Sequence, residues 1–388
     1  MLMLADGPLR QSLIALGARV EVVALPDAVA ATGDSRLVGR NAVSDEAKVQ
    51  ASTVSSTWKR IQSCLGLPIS GFRFVRFLWQ LKRSIRLIKP DLIHSSGIKS
   101  HLCLALIQAP PCPVVWHIHD FFSHRPRVRQ LIRLASRRAT GCFAISQSVK
   151  RDIGIVAPRL PVRLLENCVD TARFVPGSGS PAELDRAGGL SNVFVVPRIR
   201  VGLIATYANW KGHDVFLRAI QKCPTVTGYI VGGPIYTTAG SQWTASDLRD
   251  QAATLGIADR VGFVAFQADP VWVYQSLDIV VHASVRPEPF GLTIIEAMSC
   301  ERAVVVSNAG GAAELFTDLH DGIGHRPGDC DSLADAIQRL AADPALRIAI
   351  GSNARKSVLG RFTTDEFGRK LVDSYQEFAG KMPKANFG

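Results

Sequence analysis

The sequence predicts an α/β protein built from two Rossmann-like domains, and three observations support this. The chain has 388 residues, which is too long for one ordinary core but suits two domains of fewer than about 200 residues each. Short apolar runs alternate with stretches of helical periodicity, as in a mostly parallel sheet with helices on both faces. A polar segment rich in Gly, Ser and Pro, residues 176–189, interrupts this alternation and is the predicted domain boundary.

Both halves show the same alternation of strands and helices. In the first half, predicted strands cover residues 20–25, 92–94, 114–119 and 142–145, with helices over 72–88 and 127–138. In the second half, predicted strands cover 200–205, 228–232, 261–264, 279–282 and 303–307, and a last helix covers 363–378. The predicted organisation is an N-terminal domain over 1–178, a C-terminal domain over 190–361 and a terminal segment over 362–388.

Composition indicates a packed, soluble, cytoplasmic protein. Hydrophobic residues make up 47% of the chain and charged residues 20%. No apolar run approaches the roughly 18 residues that a membrane span needs, and the start lacks the regions of an export signal. The eight cysteines have no metal-ligand spacing, so we expect no metal site and free thiols in a reducing compartment.

Positive charge is concentrated in the first half of the chain. Residues 1–175 contain 25 Lys and Arg against 11 Asp and Glu, and the rest contains 20 against 22, so the net charges are +14 and −2. Two basic clusters lie at 82–89 and 125–138. Either cluster alone could be a solvated helix face, but the asymmetry of the whole half favours an anionic membrane surface as a partner. Because no nucleic-acid-binding motif accompanies the charge, nucleic acid is not expected.

Residues 288–296, with the sequence Glu-Pro-Phe-Gly-Leu-Thr-Ile-Ile-Glu, form the sharpest local pattern. The segment follows a predicted strand and turns into a helix at about Leu292. Gly291 lets the backbone approach a ligand closely, and the first N–H groups of the helix suit a diphosphate. Glu288 could accept hydrogen bonds from sugar hydroxyls, and Glu296 could bind the diol of a ribose. Two glutamates taken alone would more often be surface charges.

Two further junctions between a strand, a glycine and a helix lie in the same half. Lys211 precedes Gly212 just after a predicted strand, and lysine is a compact charge suited to phosphate oxygens. Gly310 and Gly311 form the other junction, with Glu314 three residues further on. Because loops at the carboxyl ends of parallel strands meet at one edge of a sheet, three such loops indicate a phosphate-binding site.

At these residues the chain resembles family 4 of the retaining glycosyltransferases, also called glycosyl transferases group 1. The shared features are two glutamates separated by seven residues with Phe-Gly between them, the upstream Trp-Lys-Gly and the downstream Gly-Gly-x-x-Glu. Residues 144–146 and 166–170 also match. The resemblance is specific over 200–330, fair over 90–175 and weak before 90. It implies the GT-B architecture of two facing Rossmann-like domains, with donor bound mainly by the second, acceptor mainly by the first, and the last helix crossing back.

The resemblance also implies roles for individual residues. The candidate catalytic residues are Glu288, which would hold the donor sugar, Lys211, which would bind the diphosphate, and His119, at the end of a first-domain strand. The candidate donor-binding residues are Lys211, Gly212, Glu288, Phe290, Gly291, Leu292, Thr293, Glu296 and Arg260. His282, Ser284 and Arg286 are candidates for sugar specificity. The implied partners are a nucleotide-sugar donor and a lipid-linked or oligosaccharide acceptor, in the assembly of a cell-surface polysaccharide or glycolipid.

The family needs no metal, and no cofactor is expected besides the nucleotide sugar itself. Retention without a metal or a nucleophile implies a front-face displacement, in which the departing phosphate takes the proton of the attacking hydroxyl. Asp329 and Asp331 superficially match the Asp-x-Asp signature of metal-dependent transferases. They precede an apolar helix, so helix capping explains them better.

Two departures from the family pattern matter. Thr206 stands where relatives usually carry an Arg that binds the diphosphate, so Arg198, Arg200 or Arg260 would have to substitute. The chain also opens on what corresponds to the family's second strand–loop–helix unit. We therefore expect the complete gene to begin about 30 to 50 residues upstream of Met1.

Two alternatives to an active transferase stay open. The first is a degenerate transferase that serves as a nucleotide-sugar-binding or partner subunit, which Thr206 and the unusual start favour. The second is an enzyme of the same fold with other chemistry, such as a nucleotide-sugar 2-epimerase. The spacing of Glu288 and Glu296 with Phe-Gly between them argues against the second.

Overall fold

The computed structural model describes residues 1–30, 56–107, 112–190, 198–234 and 241–380. The chain forms two compact units that alternate along the sequence. Unit one contains Met1–Phe143, Arg151–Arg163 and Ser374–Gly388, and unit two contains Ala144–Lys150 and Leu164–Asp373. The domain limits expected at residues 178, 190 and 362 stay a prediction.

The described residues before the polar segment at 176–189 form six strands and six α-helices. The strands are β1 (Leu2–Met3), β2 (Glu21–Val22), β3 (Ile93–Ser96), β4 (Val114–Ile118), β5 (Gly141–Ala144) and β6 (Val162–Leu164). The helices are α1 (Pro8–Ala15), α2 (Asp27–Ala30), α3 (Ser56–Ile88), α4 (Ile98–Leu106), α5 (Pro126–Ala135) and α6 (Gln147–Val156). β1 and β2 pair in parallel, and a separate four-stranded sheet has the order β3-β4-β5-β6.

The four-stranded sheet of unit one is apolar on both faces. Every residue of β4 and β5 is buried, and over one face α4 packs on β3 and on α5. On that face the ring of His101 stacks on Trp116, with 4.8 Å between ring centroids. The other face meets the end of the last helix of the chain, where Phe378 packs edge-on against Phe143.

In the rest of the chain, the described residues add six strands and eight α-helices. The strands are β7 (Ile199–Ile204), β8 (Val226–Gly232), β9 (Val261–Ala265), β10 (Ile279–His282), β11 (Ala303–Ser307) and β12 (Ile323–His325). The helices are α7 (Pro181–Ala187), α8 (His213–Lys222), α9 (Ala245–Thr254), α10 (Val271–Ser276), α11 (Leu292–Ser299), α12 (Cys330–Ala342), α13 (Pro344–Arg361) and α14 (Thr364–Gly380).

Unit two contains a six-stranded parallel sheet in the order β12-β11-β10-β7-β8-β9. Helices cover both of its faces, so its strands are continuous apolar runs instead of alternating ones. On one face α8 packs against α12, and Phe216, Ile220, Leu333 and Ile337 of these helices all belong to the hydrophobic core. The predicted α/β fold with parallel sheets in two units is therefore confirmed.

Each predicted strand contains or overlaps an observed one, but several elements were missed. The strands β6 and β12 were not predicted, and the helix α7 lies inside the segment expected to be only a boundary. The helix expected to start at residue 72 begins at Ser56. The last helix spans Thr364–Gly380, and its final residues belong to unit one.

Seven cysteines are free thiols: Cys112, Cys168 and Cys330 are partly exposed, and Cys103, Cys142, Cys223 and Cys300 are buried. Burial raises the pKa of Cys103 to about 11 and that of Cys142 to about 12. These thiols therefore behave as small apolar side chains, as expected. Among the residues that the structure describes, no helix is both long and apolar enough to cross a bilayer.

Candidate active site

The topology of unit two places a crevice between β7 and β10. From β7 the chain runs outward through β8 to β9 on one side, and from β10 through β11 to β12 on the other. In open α/β sheets, ligands bind where the strand order reverses in this way, beside the carboxyl ends of the strands. The loops after β7 and β10 carry Lys211 and Glu288. The fold therefore brings these two predicted site residues together.

Gly212 fixes how closely the two loops approach. Lys211 ends a 3₁₀ turn, Asn209–Lys211, and Gly212 caps the start of α8 with a φ of 74°. A Cβ atom at Gly212 would lie 2.0 Å from the carbonyl oxygen of Ala283, which directly follows β10. Both the left-handed backbone and this approach require glycine. The Lys-Gly pair therefore sets Lys211 against the end of β10.

The carboxylate of Glu288 is surrounded by donors. Lys211 Nζ lies 3.0 Å from Oε1 and 2.9 Å from Oε2. Ser284 Oγ donates to Oε2 at 2.8 Å, and His282 Nε2 lies 3.2 Å from the same oxygen. The Lys211 ammonium also lies over the ring of Trp210, 4.0 Å from its centroid, which adds a cation–π contact. Glu288 is 8% exposed, so this charge is held almost entirely by protein groups.

These contacts keep Glu288 ionised. Burial raises the pKa of the Glu288 carboxyl, but the hydrogen bond from His282 and the charge of Lys211 outweigh it and lower the pKa to about 2. A carboxylate with such a pKa is a permanent acceptor at neutral pH. It can hold sugar hydroxyls, but it cannot serve as a proton donor there.

Backbone contacts hold the loops around Glu288 in place. Gly311 N–H donates to the Glu288 carbonyl oxygen at 2.7 Å, and Gly310 forms a parallel bridge with Glu288. Ser307 Oγ donates to the Ser284 carbonyl oxygen at 2.6 Å. The loop with two glycines, predicted as a third phosphate-binding junction, thus packs directly behind Glu288.

The helix α11 starts beside this carboxylate. Phe290 is buried, Gly291 has a φ of 117° and Leu292 is the first helical residue, so the N–H groups of the first turn and the positive end of the helix dipole lie next to the loop. One turn further, Glu296 accepts a hydrogen bond from the hydroxyl of Tyr274 at 2.6 Å. Burial raises the pKa of Glu296, although this hydrogen bond and the charge of Arg173 oppose the shift.

Two family models match this chain in succession. The model of Glycosyltransferase Family 4 matches residues 9–173, and that of Glycosyl transferases group 1 matches residues 191–357. The chain belongs to the group 1, or family 4, glycosyltransferases. The matches divide between the two halves of the chain as the resemblance implied.

Curated relatives and solved structures agree with this family. A lipopolysaccharide core biosynthesis mannosyltransferase, LpcC, of Rhizobium leguminosarum is 32% identical over 57% of this chain and 61% of its own length. A D-inositol 3-phosphate glycosyltransferase of Mycolicibacterium vanbaalenii is 32% identical over 56% of this chain and 49% of its own. The chain thus spans about half to three fifths of these relatives.

The solved structures show the same fold. Anabaena HepE, crystallised with UDP and glucose, matches with a TM-score of 0.74 and 24% identity, covering 97% of this chain and 90% of that one. The sucrose-phosphate synthase of Thermosynechococcus elongatus matches with a TM-score of 0.70 and 20% identity, covering 98% and 95%. The GT-B prediction is confirmed at the level of the fold.

In this group 1 glycosyltransferase, the prediction that Arg260 binds the donor is wrong. Its guanidinium is buried and donates to the carbonyl oxygens of Ile220, Gln221, Cys223 and Val226 at 2.9 to 3.4 Å. Arg260 precedes β9, so it lies at the amino edge of a sheet whose carboxyl edge holds Lys211 and Glu288. It satisfies the carbonyl groups at the C-terminal end of α8 instead.

Arg200 does not replace the missing arginine at Thr206 either. Arg200 lies in β7 near its amino end and forms a bidentate pair with Asp185, at 3.1 and 2.8 Å. Tyr229 donates to the same carboxylate. Arg200 therefore joins α7 to the sheet and does not approach the crevice.

His119 belongs to unit one, where it directly follows β4. Its ring lies 4.2 Å from that of His117, and burial lowers the pKa of His119 while Asp120 opposes the shift. The loop after it is held by Asp152, whose carboxylate accepts from Phe122 N–H at 2.7 Å. His119 thus lies at a strand end, as predicted, and its role stays a prediction.

Asp329 is a helix cap, as expected. Its Oδ1 accepts from the N–H groups of Asp331 and Ser332, both at 2.9 Å, at the start of α12. The two aspartates that match the Asp-x-Asp signature of metal-dependent transferases are therefore part of a helix terminus. Over the described ranges, no group of three or more His, Cys, Asp or Glu side chains is arranged to hold a metal ion.

The sequence identified His282 and Ser284 as specificity candidates but missed their contact with Glu288. Both lie at the end of β10, two residues apart, and alternate residues of an extended chain point the same way. That spacing is the signal that could have found them. His325, whose Nε2 lies 3.1 Å from the His282 carbonyl oxygen, gave no such signal because β12 was not predicted.

Proposed function

We propose that this protein transfers a sugar from a nucleotide diphosphate sugar to an acceptor hydroxyl with retention of configuration and without a metal ion. The observation that carries the proposal is the Lys211–Glu288 pair beside the start of α11, at the reversal of strand order. This site then offers a cation, a helix N-terminus and an ionised carboxylate within reach of a single donor molecule.

The roles follow from the chemistry of each group. Lys211 and the first turn of α11 would stabilise the departing diphosphate as charge develops on it. Glu288, held ionised, would accept hydrogen bonds from the donor sugar, and Glu296 would accept them from the ribose. The acceptor hydroxyl would attack from the side that the diphosphate leaves, and a phosphate oxygen would take its proton. Catalysis is then positioning together with stabilisation of the leaving group.

The relatives support the class of product. LpcC of Rhizobium is a mannosyltransferase of the lipopolysaccharide core, and HepE was crystallised with UDP-glucose. We propose a lipid-linked or oligosaccharide acceptor in the assembly of a cell-surface polysaccharide or glycolipid, on the cytoplasmic side of the membrane.

The donor site is tested by calorimetric titration with UDP and GDP. We expect Lys211→Ala and Glu296→Ala each to weaken binding of whichever nucleotide the wild type binds, by about tenfold or more, since each loses a charged contact. Lys222→Ala is the control, because Lys222 is also a lysine of unit two but its partner is the exposed Asp331. Equal affinity in all four proteins would remove the assignment.

The metal-free mechanism has its own test. Transferase activity measured with a chelator should equal activity without it. Loss of activity with the chelator and its return with manganese would count against the proposed displacement.

A degenerate transferase remains the second candidate, favoured by Thr206 and by the positions of Arg200 and Arg260 away from the crevice. Such a protein would bind a nucleotide sugar without breaking it. Hydrolysis of the donor in the absence of acceptor separates the two candidates, because an active site that polarises the sugar–phosphate bond releases nucleotide diphosphate slowly even to water.

We also propose that unit one docks on an anionic membrane. On α3, Phe72, Val75 and Trp79 form an exposed apolar stripe, with exposed Arg73, Arg76, Arg83 and Arg86 on the same helix. The exposed residues of α5 and the turn after it include Arg127, Arg129, Arg133, Arg137 and Arg138. Aromatic residues beside arginines suit an interface of acyl chains and anionic head groups.

Co-sedimentation with liposomes tests the docking. We expect binding to anionic but not to neutral vesicles, lost at high salt because salt screens the attraction. Trp79→Ala and the combined neutralisation of Arg127 and Arg129 should each weaken it. A protein that fails to sediment with anionic vesicles even at low salt would refute the docking.

A further inference from the structure

Glu314 makes an unusual set of contacts for a residue with no assigned role. Its Oε2 accepts from Gln147 N–H at 2.7 Å, and its Oε1 accepts from Ser148 N–H at 2.7 Å and from Ser148 Oγ at 2.5 Å. These donors form the first turn of α6, more than 160 residues earlier in the chain. A side chain from a distant loop therefore caps this helix, a task that usually falls to a local residue.

The cap lies in the same loop as the glycines that support Glu288. Glu314 ends a 3₁₀ turn, Ala312–Glu314, directly after Gly311. Gly311 N–H donates to the Glu288 carbonyl oxygen at 2.7 Å. Glu314 lies three residues further along the chain, and its N–H closes the turn by donating to the Gly311 carbonyl oxygen. Fixing the Glu314 side chain therefore fixes the turn that holds the backbone of Glu288.

Close packing makes this connection rigid. A Cβ atom at Gly311 would lie 2.1 Å from the Pro289 carbonyl oxygen and 2.9 Å from Ser146 Cβ. Gly311 thus fills the space between the Glu288–Pro289 backbone and the residue just before α6. Ser146 is 2% exposed and its Oγ accepts from Val149 N–H at 3.1 Å, so Ser146 is itself part of the same helix start.

A second contact holds the turn from the other side. Arg361 donates to the Glu314 carbonyl oxygen at 3.2 Å and to Glu166 Oε1 at 3.2 Å. The turn is therefore fixed by its side chain at the start of α6 and by its backbone at the end of α13. Neither contact touches the carboxylate of Glu288, so any influence passes through the loop.

We propose that Glu314 is a positioning residue for Glu288, acting through Gly311. This inference rests on the proposed function for its catalytic meaning, but the placement of the loop is a property of the ligand-free protein. With the cap removed, the Glu288 backbone loses its fixed support while Lys211, Ser284 and His282 remain.

Hydrogen exchange on the ligand-free protein tests the placement. Glu314→Gln should speed exchange of the N–H groups at residues 147–150 and 310–314 by about tenfold or more, because an amide accepts with only one atom. Ser148→Ala, which removes one of three contacts, should give a smaller change in the same segments. Asp329→Asn is the matched control, since Asp329 also caps a helix of unit two with two N–H contacts, and it should affect only the start of α12. Unchanged exchange at Gly311 in Glu314→Gln overturns the inference.

Steady-state kinetics test the effect of this positioning on catalysis. UDP-glucose and GDP-mannose serve as donors, and rates are expressed per nucleotide-binding site. Glu314→Gln should lower kcat by about 10- to 100-fold, the usual effect of a small misplacement of a reacting group, with a smaller change in donor KM. The effect should nearly vanish in a Glu288→Gln background, because both changes act on one group. A loss that adds fully in that background overturns the inference. If the wild type turns over neither donor nor hydrolyses one, the proposed function fails, and the exchange result alone decides the placement.

Discussion

Glu288 carries a full negative charge inside the protein because Lys211, Ser284 and His282 all donate to it. A buried ion pair of this kind adds little net stability, since both charges lose their water. Removing one partner, however, leaves the other charge buried and unpaired. The Lys211–Glu288 pair should therefore be sensitive to loss of either member even when no ligand is present.

We predict that Lys211→Met lowers the free energy of unfolding at pH 7 by about 3 kcal/mol, because Glu288 is then left without its cation. Lys222→Met should lower it far less, since Lys222 pairs with Asp331 at 2.7 Å on the surface, where water screens the pair. Chemical denaturation of the two variants measures the difference. Equal losses would show that the Lys211 pair is as solvated as an ordinary surface pair.

Residue chemistry alone placed Lys211 and Glu288 at one edge of the sheet, where the structure has them in contact, but misplaced Arg260. A lysine before glycine at a strand end is a pattern with a spatial consequence, because carboxyl ends of parallel strands share one edge. Arg260 precedes its strand, so the same rule puts it at the opposite edge, where it binds the carbonyl oxygens at the end of α8. The direction of the chain through the strand decides between the two edges.

At the scale of elements, the start of α8 depends on one glycine for two separate reasons. Gly212 has a positive φ, and its α-carbon faces the Ala283 carbonyl oxygen with no room for a methyl group. Gly256 also has a positive φ, of 68°, but a Cβ atom there would meet nothing within 4 Å. Comparing alanine substitutions at the two positions therefore separates the cost of backbone strain from the cost of close packing.

We predict that Gly256→Ala costs about 1 kcal/mol of unfolding free energy, the usual strain of a left-handed alanine. Gly212→Ala should cost clearly more, about 3 kcal/mol, because the loop after β10 must also move. It should in addition weaken nucleotide binding, which Gly256→Ala should leave intact. Thermal unfolding and calorimetry on both variants provide the comparison, and similar costs for the two would contradict the packing argument.

Elements with strong apolar periodicity could be predicted, and short polar ones could not. β10 is four buried residues between clear turn signals, whereas β12 contains Gly324 and His325 and reads as a turn after Asp321. β12 forms only because β11 offers it an open edge, which no local pattern reveals. In α7, the Ser180 cap and Pro181 are helix-start signals that the surrounding glycines and prolines concealed.

Across the whole molecule, several histidines are buried as neutral rings. Burial, followed by nearby positive charge, lowers the pKa of His94 and His213 to about 4 and of His117 to about 3. In the unfolded chain these rings titrate at the ordinary value of 6.5. Between pH 6.5 and about 4 the unfolded chain therefore binds protons that the folded protein does not, and stability falls as pH falls.

His213 offers the cleanest test of this acid sensitivity. It is fully buried, and neither ring nitrogen has a hydrogen-bond partner among the described residues. His213→Phe keeps the edge-on contact with Tyr207. We predict that its unfolding free energy, measured relative to that of the wild type, is about 2 kcal/mol higher at pH 5 than at pH 8. His320→Phe, at an exposed site, is the control substitution. Unfolding curves from pH 4 to 8 decide it, and parallel profiles for His213→Phe and wild type would refute the prediction.

The pairing of Lys211 with Glu288 also bears on how fast a charged ligand arrives. Because the two charges cancel, and residues 176–388 carry a net charge of only −2, this half of the chain projects little field toward a dianion in solution. The pair itself therefore adds little to the steering of a dianion, and a dependence of the association rate on ionic strength would come from charge elsewhere, such as the +14 of residues 1–175. Competing nucleotide sugars would consequently be distinguished by how long each stays bound.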